Sequence, residues 1–309
     1  MLPVALVGAG LMGEPMAGHL LDRGFPVAIV AHRNRAPVDR LARKGAAEYA
    51  SLAAAAAASK VTLMVLPTSR EVEEVLFGAN GVAGAMRPGH VVVDMGTCYP
   101  ADTRRLATRV AALGGRFLDA PVTGGVDAAR AGTLTTMAGG DVAVLDSIRP
   151  ALDTFSAKVY HFGPIGAGHA AKLIQNMIGW IEVAGIAEGL ALAKATGLDL
   201  STFFSMLTHS HSNSPIVQTM VPKVLVGGFD EIDFRLELAH KDIRQAADLA
   251  RETTEVPMSV ADAAEALFRL SCAEGFGKQD WTAVVRGLER RLGAECRASG
   301  TESRKADRA

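Results

Sequence analysis

Short apolar runs rich in β-branched residues recur through the first half of the chain, and the stretches between them return their apolar positions every three or four residues. The runs Val4–Val7, Val27–Ala31, Val61–Val65, Val91–Asp94 and Phe117–Ala120 are too short for helices and predict strands. Helices are predicted between them at Glu14–Asp22, Pro37–Arg43, Val72–Leu76 and Ala101–Leu113, and the alanine run Ala53–Ala58 favours helix by propensity. Strands separated by helices imply βαβ units and a mainly parallel, doubly wound α/β sheet of the Rossmann type. Leu134–Ala138 and Val159–His161 are expected as added edge strands.

The pattern changes near Gly163-Pro164-Ile165-Gly166. Beyond it β-branched runs nearly vanish and helical periodicity covers Ala167–Thr196, Ser201–Leu207, Glu237–Glu252, Pro257–Ala273 and Trp281–Leu292. The expected plan is a dinucleotide-binding domain over residues 1–163, an all-helical domain over 164–293 entered through one long helix, and a frayed polar tail over 294–309. The most apolar stretch, Leu173 to Leu192, contains Glu182, Glu188 and several glycines, so it predicts a buried helix and not a membrane span.

Composition narrows the function. A formal net charge of −1 over 309 residues provides no global field for nucleic acid or for an anionic membrane. Three scattered cysteines, Cys98, Cys272 and Cys296, form neither a disulfide framework nor a CxxC zinc pair, which fits a reducing, cytoplasmic setting. The N-terminus enters an apolar strand at once, without the basic start and longer apolar run of a secretory peptide.

Gly8-Ala9-Gly10-Leu11-Met12-Gly13 directly follows the first strand and opens the first helix. In such a GxGxxG loop the first glycine permits the tight turn, the second lets the backbone approach a pyrophosphate, and the third lets helix and strand pack closely. The second strand would end in an Asp or Glu if a free ribose 2′-hydroxyl were to be read. Here His32-Arg33-Asn34-Arg35 follow it, with no carboxylate before Asp39. Two guanidinium groups suit a 2′-phosphate, so NADP is expected over NAD.

These residues carry a family resemblance. Gly8-x-Gly10-x-Met12-Gly13-x-x-Met16-Ala17, Leu66-Pro67, Asp94-Met95-Gly96-Thr97, Asp119-Ala120-Pro121-Val122-Thr123-Gly124-Gly125, Gly166-x-Gly168-x-x-x-Lys172-x-x-x-Asn176 and Phe234-x-x-x-Leu238-x-x-Lys241-Asp242 occur in one order and spacing. Together they resemble the β-hydroxyacid dehydrogenases, a group that includes 3-hydroxyisobutyrate dehydrogenase and the tartronate, glyoxylate and succinic semialdehyde reductases. The resemblance implies a cofactor turn at Leu66 and Pro67, a cofactor contact at Thr97 and another at Lys241. It makes Thr123-Gly124-Gly125 the loop that takes the substrate carboxylate, through backbone N–H groups that two glycines expose. It also implies a homodimer or homotetramer built through the helical domain, and an active site between the domains. Two departures stand out. Thr123 replaces the usual serine, and residues 31–35 match neither the usual NAD nor the usual NADP pattern.

Reduction of a carbonyl by hydride needs a proton donor at the developing alkoxide. Lys172 and Asn176 are four residues apart on the predicted long helix and share one face. Lys172 sits among Ala170, Ala171, Leu173 and Ile174, and burial there would favour its role as general acid and base, with Asn176 orienting the substrate. Asp242 could pair with Lys241 or act as a helix charge. His209-x-His211 has no carboxylate or thiol cluster with it and reads as a polar rim, so no metal is expected, and Cys98 is assigned no role.

Three other readings fit the residues less well. A 6-phosphogluconate dehydrogenase would carry K-x-x-H-N-x-x-E, whereas Gln175 and Gly179 occupy the histidine and glutamate places. Imine reductases usually replace the lysine, which is present here. A non-catalytic dinucleotide sensor would have no need of the Lys172–Asn176 pair. The expected activity is therefore NAD(P)-dependent interconversion of a small semialdehyde or 2-oxo acid with its hydroxy acid.

Overall fold

In the computed structural model, which describes residues 1–298, the chain divides into one unit ending at Lys172 and another starting at Leu173. Within the first, strands β1 (Val4–Val7), β2 (Val27–Val30), β3 (Ala47–Tyr49), β4 (Val61–Met64), β5 (Val91–Asp94) and β6 (Arg116–Asp119) form one sheet. Their order is β3-β2-β1-β4-β5-β6 and every pair is parallel. Parallel pairs need crossovers. Helices α1 (Gly13–Asp22), α2 (Ala36–Arg43), α3 (Leu52–Ala57), α4 (Ser69–Phe77) and α5 (Pro100–Ala112) supply them. Every residue of β1, β4 and β5 is buried, as expected for strands covered on both faces. The alanine-rich α3 forms where expected, and Ser51 caps it by accepting the Ala54 N–H at 3.1 Å.

The strand order reverses between β1 and β4. Loops leaving the C-terminal ends of these two strands therefore diverge, which opens the crevice where such sheets bind dinucleotides.

The two expected edge strands do not extend this sheet. A second sheet has the order β7-β8-β9, formed by β7 (Val122–Thr123), β8 (Leu134–Ala138) and β9 (Ser156–His161). Strand β8 lies at its centre, antiparallel to β7 and parallel to β9. Instead β8 pairs with the unexpected two-residue β7 on one side and with β9 on the other. Helices α6 (Gly125–Ala131) and α7 (Val142–Leu152) were also not anticipated. Pro150 lies inside α7 and argues against a helix, yet Asp141 caps the start by accepting from Ala143 and Val144, and Leu145, Ile148 and Leu152 are fully buried.

Helix α8 (Ala167–Ala195) carries the chain from the first unit into the second. It is followed by α9 (Leu200–Thr208), α10 (Pro215–Val226), α11 (Leu236–Thr253), α12 (Ser259–Ser271) and α13 (Arg286–Leu292). Among the described residues the second unit has no strand, only an isolated bridge between Arg235 and Asp280. Helix α8 is long and apolar enough to cross a membrane by length and composition. Its Val183, Ala187 and Leu190 are instead buried in the second core, against Val221 and Val224 of α10 and Ile243 of α11.

Two expectations fail in this unit. The polar stretch ahead of residue 215 was not expected to lead into a helix, but Ser214 accepts the Val217 N–H and Pro215 takes the first helical position of α10. The frayed tail expected from Ala294 is packed as far as Ala298. Cys296 is fully buried, and the Arg297 guanidinium meets the Glu289 carboxylate at 2.6 Å with both side chains buried. A buried arginine needs such a partner, which the polar composition of the stretch does not reveal. The rest of that tail, from Ser299 on, lies outside the described residues.

Candidate active site

The five segments of the first unit singled out in sequence all leave the C-terminal ends of parallel strands: residues 8–13 after β1, 32–35 after β2, 66–67 after β4, 97 after β5 and 123–125 after β6. This is the edge at which open α/β sheets hold ligands.

The glycine loop takes the roles its spacing implies. Gly8 has φ +97°, and a Cβ there would lie 2.2 Å from the Val65 carbonyl oxygen. A Cβ on Gly13 would lie 2.0 Å from the Gly8 oxygen, so helix and strand close up only because it is absent. Around Gly10 nothing lies within 4 Å of a Cβ position, and Gly10 and Leu11 are exposed. No side chain caps α1, whose N-cap residue is Met12. The loop thus presents backbone and a helix N-terminus to an approaching anion. It fits the diphosphate of a dinucleotide.

Beyond β2, His32, Arg33, Asn34 and Arg35 are exposed. The Arg35 guanidinium is held bidentately by Glu48 of β3 at 2.8 and 2.9 Å and also meets Asp39 at 3.0 Å. Both carboxylates lie beyond the stretch read for the ribose partner. Arg33 makes no ion pair among the described residues. The side chain of Asn34 accepts the Ala36 N–H and shapes the turn into α2.

The turns after β4 and β5 lie side by side. A Cβ on Gly96 would stand 2.3 Å from the Leu66 oxygen, and Asp94 accepts the Gly96 N–H at 3.0 Å. Pro67 is exposed and Thr97 is half-buried beside it in sheet order. Next to this turn, Asp94, Cys98 and His169 are buried with one donor atom each within 4.8 Å of one another. The Thr103 hydroxyl lies 3.1 Å from the Tyr99 carbonyl and 2.7 Å from His169 Nδ1, and His169 Nε2 faces Asp94 Oδ2 at 3.8 Å. Three fully buried donors supply neither the fourth ligand of a structural zinc nor the open position of a catalytic one.

In the loop expected to take the substrate, Thr123 is half-buried, while Gly124 (φ +125°) and Gly125 (φ +72°) are exposed. Their positive φ values turn the backbone as no other residue readily would, and α6 follows directly. Asp119, which the sequence shows only as the start of a motif, and His169 are buried polar groups to which the sequence assigns no role. The signal for Asp119 was its place as the last residue of an apolar strand, where a carboxylate has no packing purpose.

Lys172 and Asn176 lie one turn apart on α8, each about 8% exposed. Asn176 Nδ2 donates to Asp242 Oδ2 at 2.8 Å, and Lys241 Nζ lies 3.1 Å from Asp242 Oδ1. Asp242 is fully buried, so it pairs with Lys241 and holds Asn176 at once. One turn beyond Asn176, Trp180 stacks on Phe234 at 5.8 Å, which binds the segment 234–242 to α8 a second time. His209 and His211 are exposed and belong to no cluster of metal donors among the described residues. A groove of about 920 Å³ in the first unit, lined by Ala111, Phe117, Val142, His161 and Ile165 among others, contains none of the residues singled out in sequence.

The three cysteines are free. Burial, reinforced by Glu237 for one and Glu289 for the other, pushes the Cys272 and Cys296 thiols up to about 11, which makes both poor nucleophiles.

Comparison with known proteins extends over both units. Residues 3–163 match the family described as the NAD binding domain of 6-phosphogluconate dehydrogenase. Residues 166–288 match the family described as NAD-binding of NADP-dependent 3-hydroxyisobutyrate dehydrogenase. The chain is 33% identical to 2-(hydroxymethyl)glutarate dehydrogenase of Eubacterium barkeri over 292 residues, which cover 94% of this chain and 96% of that one. It is 31% identical to 2-hydroxy-3-oxopropionate reductase of Escherichia coli over 289 residues, 93% and 97% of the two chains. A crystal structure of 3-hydroxyisobutyrate dehydrogenase from Salmonella typhimurium superposes with a TM-score of 0.86 at 30% identity, covering 93% of this chain and 99% of that one.

Proposed function

The chain belongs to the β-hydroxyacid dehydrogenase family, and on that footing we propose that it reduces a short semialdehyde or 2-oxo acid to its hydroxy acid, or runs the reverse, with Lys172 moving the proton. The observation that carries this reading is the buried Lys172–Asn176 pair on α8, with Asn176 fixed by Asp242.

The bound nicotinamide dinucleotide would supply or accept the hydride. Gly8, Gly10, Leu11, Met12 and Gly13 would hold its diphosphate on backbone N–H groups, with the turns at Leu66, Pro67 and Thr97 flanking it and Lys241 a further contact. Thr123 and the exposed backbone of Gly124 and Gly125 bind the substrate carboxylate. Lys172 gives a proton to the carbonyl oxygen as negative charge grows there, and recovers it when the hydroxy acid is oxidised. Asn176 donates or accepts at the same oxygen and keeps it in line with the lysine.

NADP is the proposed cofactor, supported by the absence of a carboxylate directly after β2 and by Arg33. Arg35 is the weaker support because Glu48 and Asp39 already share its charge. A homo-oligomer built on the helical unit is supported by α8, where Ile174, Ile178 and Leu192 are exposed and Gly185 and Gly189 face open space. Free cysteines fit a reducing compartment.

Turnover of NADPH with a panel of glyoxylate, succinic semialdehyde, tartronate semialdehyde and methylmalonate semialdehyde tests the activity. Oxidation of NADPH by at least one of them is expected. Tight NADPH binding with no turnover across the panel would favour a dinucleotide sensor and overturn it.

A further inference from the structure

We propose that Asp119 is the positioning residue for Lys172: it fixes the first turn of α8, and with it the lysine, to the strand from which the substrate loop departs. The proposal rests on the reading of Lys172 as the group that moves the proton.

The first N–H groups of any helix lack partners within the helix. In five of the described α-helices a neighbour in sequence supplies the acceptor. Ser51 serves α3, Thr68 serves α4, Asp141 serves α7, Asp199 serves α9 and Ser214 serves α10, each within three residues of the N–H it accepts. Such a cap secures its own helix and nothing else. Helix α8 is different. Its Gly166 and His169 N–H groups donate to the two oxygens of Asp119, both at 2.8 Å, across 47 and 50 residues of chain. The acceptor is the last residue of β6 and is fully buried. A carboxylate at this end of a helix also meets the positive end of its dipole.

The backbone of Asp119 works in the same direction. Its carbonyl accepts the Gly139 N–H at 2.7 Å, and its own N–H donates to the Gly139 oxygen at 3.2 Å. Gly139 and Gly168 then touch. A Cβ on Gly139 would lie 2.7 Å from both Asp119 Oδ1 and the Gly168 nitrogen, and one on Gly168 would lie 2.3 Å from the Met137 oxygen. The His169 ring adds an anchor through Thr103 at 2.7 Å. Lys172 comes three residues after His169, and Thr123 comes four residues after Asp119. One residue therefore sits between the proton donor and the carboxylate-binding loop, less than a helical turn of chain from the first and a few residues from the second.

The test uses the full-length chain with NADPH and whichever semialdehyde it turns over. Asp119→Asn keeps the shape of the side chain and one accepting oxygen, but its amide nitrogen cannot accept the second N–H. We expect kcat to fall about 10- to 100-fold, the scale set by a misplaced catalytic group. NADPH affinity, measured by fluorescence titration, should stay within about twofold. The isotope effect with 4-deuterated NADPH should rise as hydride transfer becomes slow. Asp119→Ala should lose more than Asp119→Asn. Thr103→Val, which frees the His169 ring and the Tyr99 carbonyl but leaves Asp119 in place, should lose about two- to fivefold, and it keeps the comparison alive if the alanine variant does not fold. In a Lys172→Ala background, Asp119→Asn should cost nothing further, because the group it positions is gone.

Wild-type kcat and isotope effect in Asp119→Asn, with only a lower melting temperature, would overturn the proposal and leave a structural cap. So would a fall in kcat that merely tracks lost NADPH affinity, or a full-sized further loss in the Lys172→Ala background. Near-wild-type turnover in Lys172→Ala itself would instead bring down the reading of Lys172, and the positioning role with it.

Discussion

Two helices that start in the first unit, α1 and α8, begin in opposite ways. Helix α1 opens with no side-chain cap, with Gly10 and Leu11 exposed and no atom within 4 Å of where a Gly10 side chain would start. Helix α8 opens with the Gly166 N–H just ahead of it and the His169 N–H of its first turn already taken by the buried carboxylate of Asp119. The same partial positive charge stands at both ends. At α1 the protein leaves it for an anion from outside. At α8 the protein satisfies it with an anion of its own, which ties the start of the helix to β6. A helix N-terminus is thus a binding element or a positioning element, and what decides is whether the fold supplies the acceptor.

The largest test of this contrast is at the group the closed end serves. Lys172→Ala should lower kcat about 10²- to 10⁴-fold, the usual share of general acid–base catalysis, with NADPH affinity and melting temperature nearly unchanged. Lys172→Arg should not restore the rate, since a guanidinium does not release its proton near neutral pH. Steady-state kinetics with Lys194→Ala as control, on the same helix, decides it, and equal losses in the two alanine variants would remove Lys172 from the chemistry.

The open end is tested by filling it. Gly10→Val should weaken NADPH binding about 10- to 100-fold while kcat at saturating cofactor stays close to wild type, the mirror image of the Asp119 result. An unchanged dissociation constant would mean that the diphosphate does not approach at Gly10.

A smaller effect separates the two arginines beyond β2. Arg33→Ala should raise the NADPH KM about tenfold and leave the NADH KM nearly as it was. Arg35→Ala should raise the NADPH KM only about two- to threefold, because Glu48 and Asp39 compete for its charge. If wild-type enzyme uses NADH as efficiently as NADPH, the assignment of NADP fails.

The smallest effect belongs to a pair remote from both helix starts. Glu73 of α4 is bidentate to Arg105 of α5 at 2.8 and 2.9 Å and also meets Arg109. The Arg105 hydrogen bonds, opposed by the cost of burial and helped by the charges of Arg105 and Arg109, bring its carboxyl from 4.5 down to about 2. A depressed folded-state pKa means that the stabilisation is complete above about pH 4.5 and is lost as pH falls through about 2. The pair is solvent-exposed, so Glu73→Gln should cost only about 0.2–1 kcal/mol at pH 7. Denaturant titrations should show that difference shrinking by pH 3, with NADPH turnover at pH 7 unaffected by the substitution.

The open helix start was legible in the sequence and the closed one was not, for a physical reason. Everything at α1 is local: a strand, three glycines and the helix they open follow one another within about ten residues, so spacing alone reports their roles. Asp119 acts on residues 47 and 50 positions away, and nothing in the neighbourhood of either partner announces the other. The same distinction explains the rest. The buried strands β1, β4 and β5 declare themselves by apolar composition. Strand β7 exists only because β8 pairs with it, Arg35 is neutralised by a residue on a strand that sequence did not show, and Arg297 is ordered by Glu289. Helices α7 and α10 were obscured differently, since each contains a proline that local rules count against a helix and that buried packing overrides.

The contact between Gly139 and Gly168 sets where this enzyme can change. Neither position admits a methyl group without moving a backbone oxygen or nitrogen, so almost every mutation at either one is lost before its effect on substrate choice can be tried. Thr123 and Thr97 are half-buried and stand outside that contact. Single substitutions at the threonines are therefore expected to fold, whereas the glycine pair and Asp119 form a ratchet, cheap to keep and closed to drift. A saturation library aimed at the threonines would sample altered substrates. One aimed at the glycines would sample mainly folding failures.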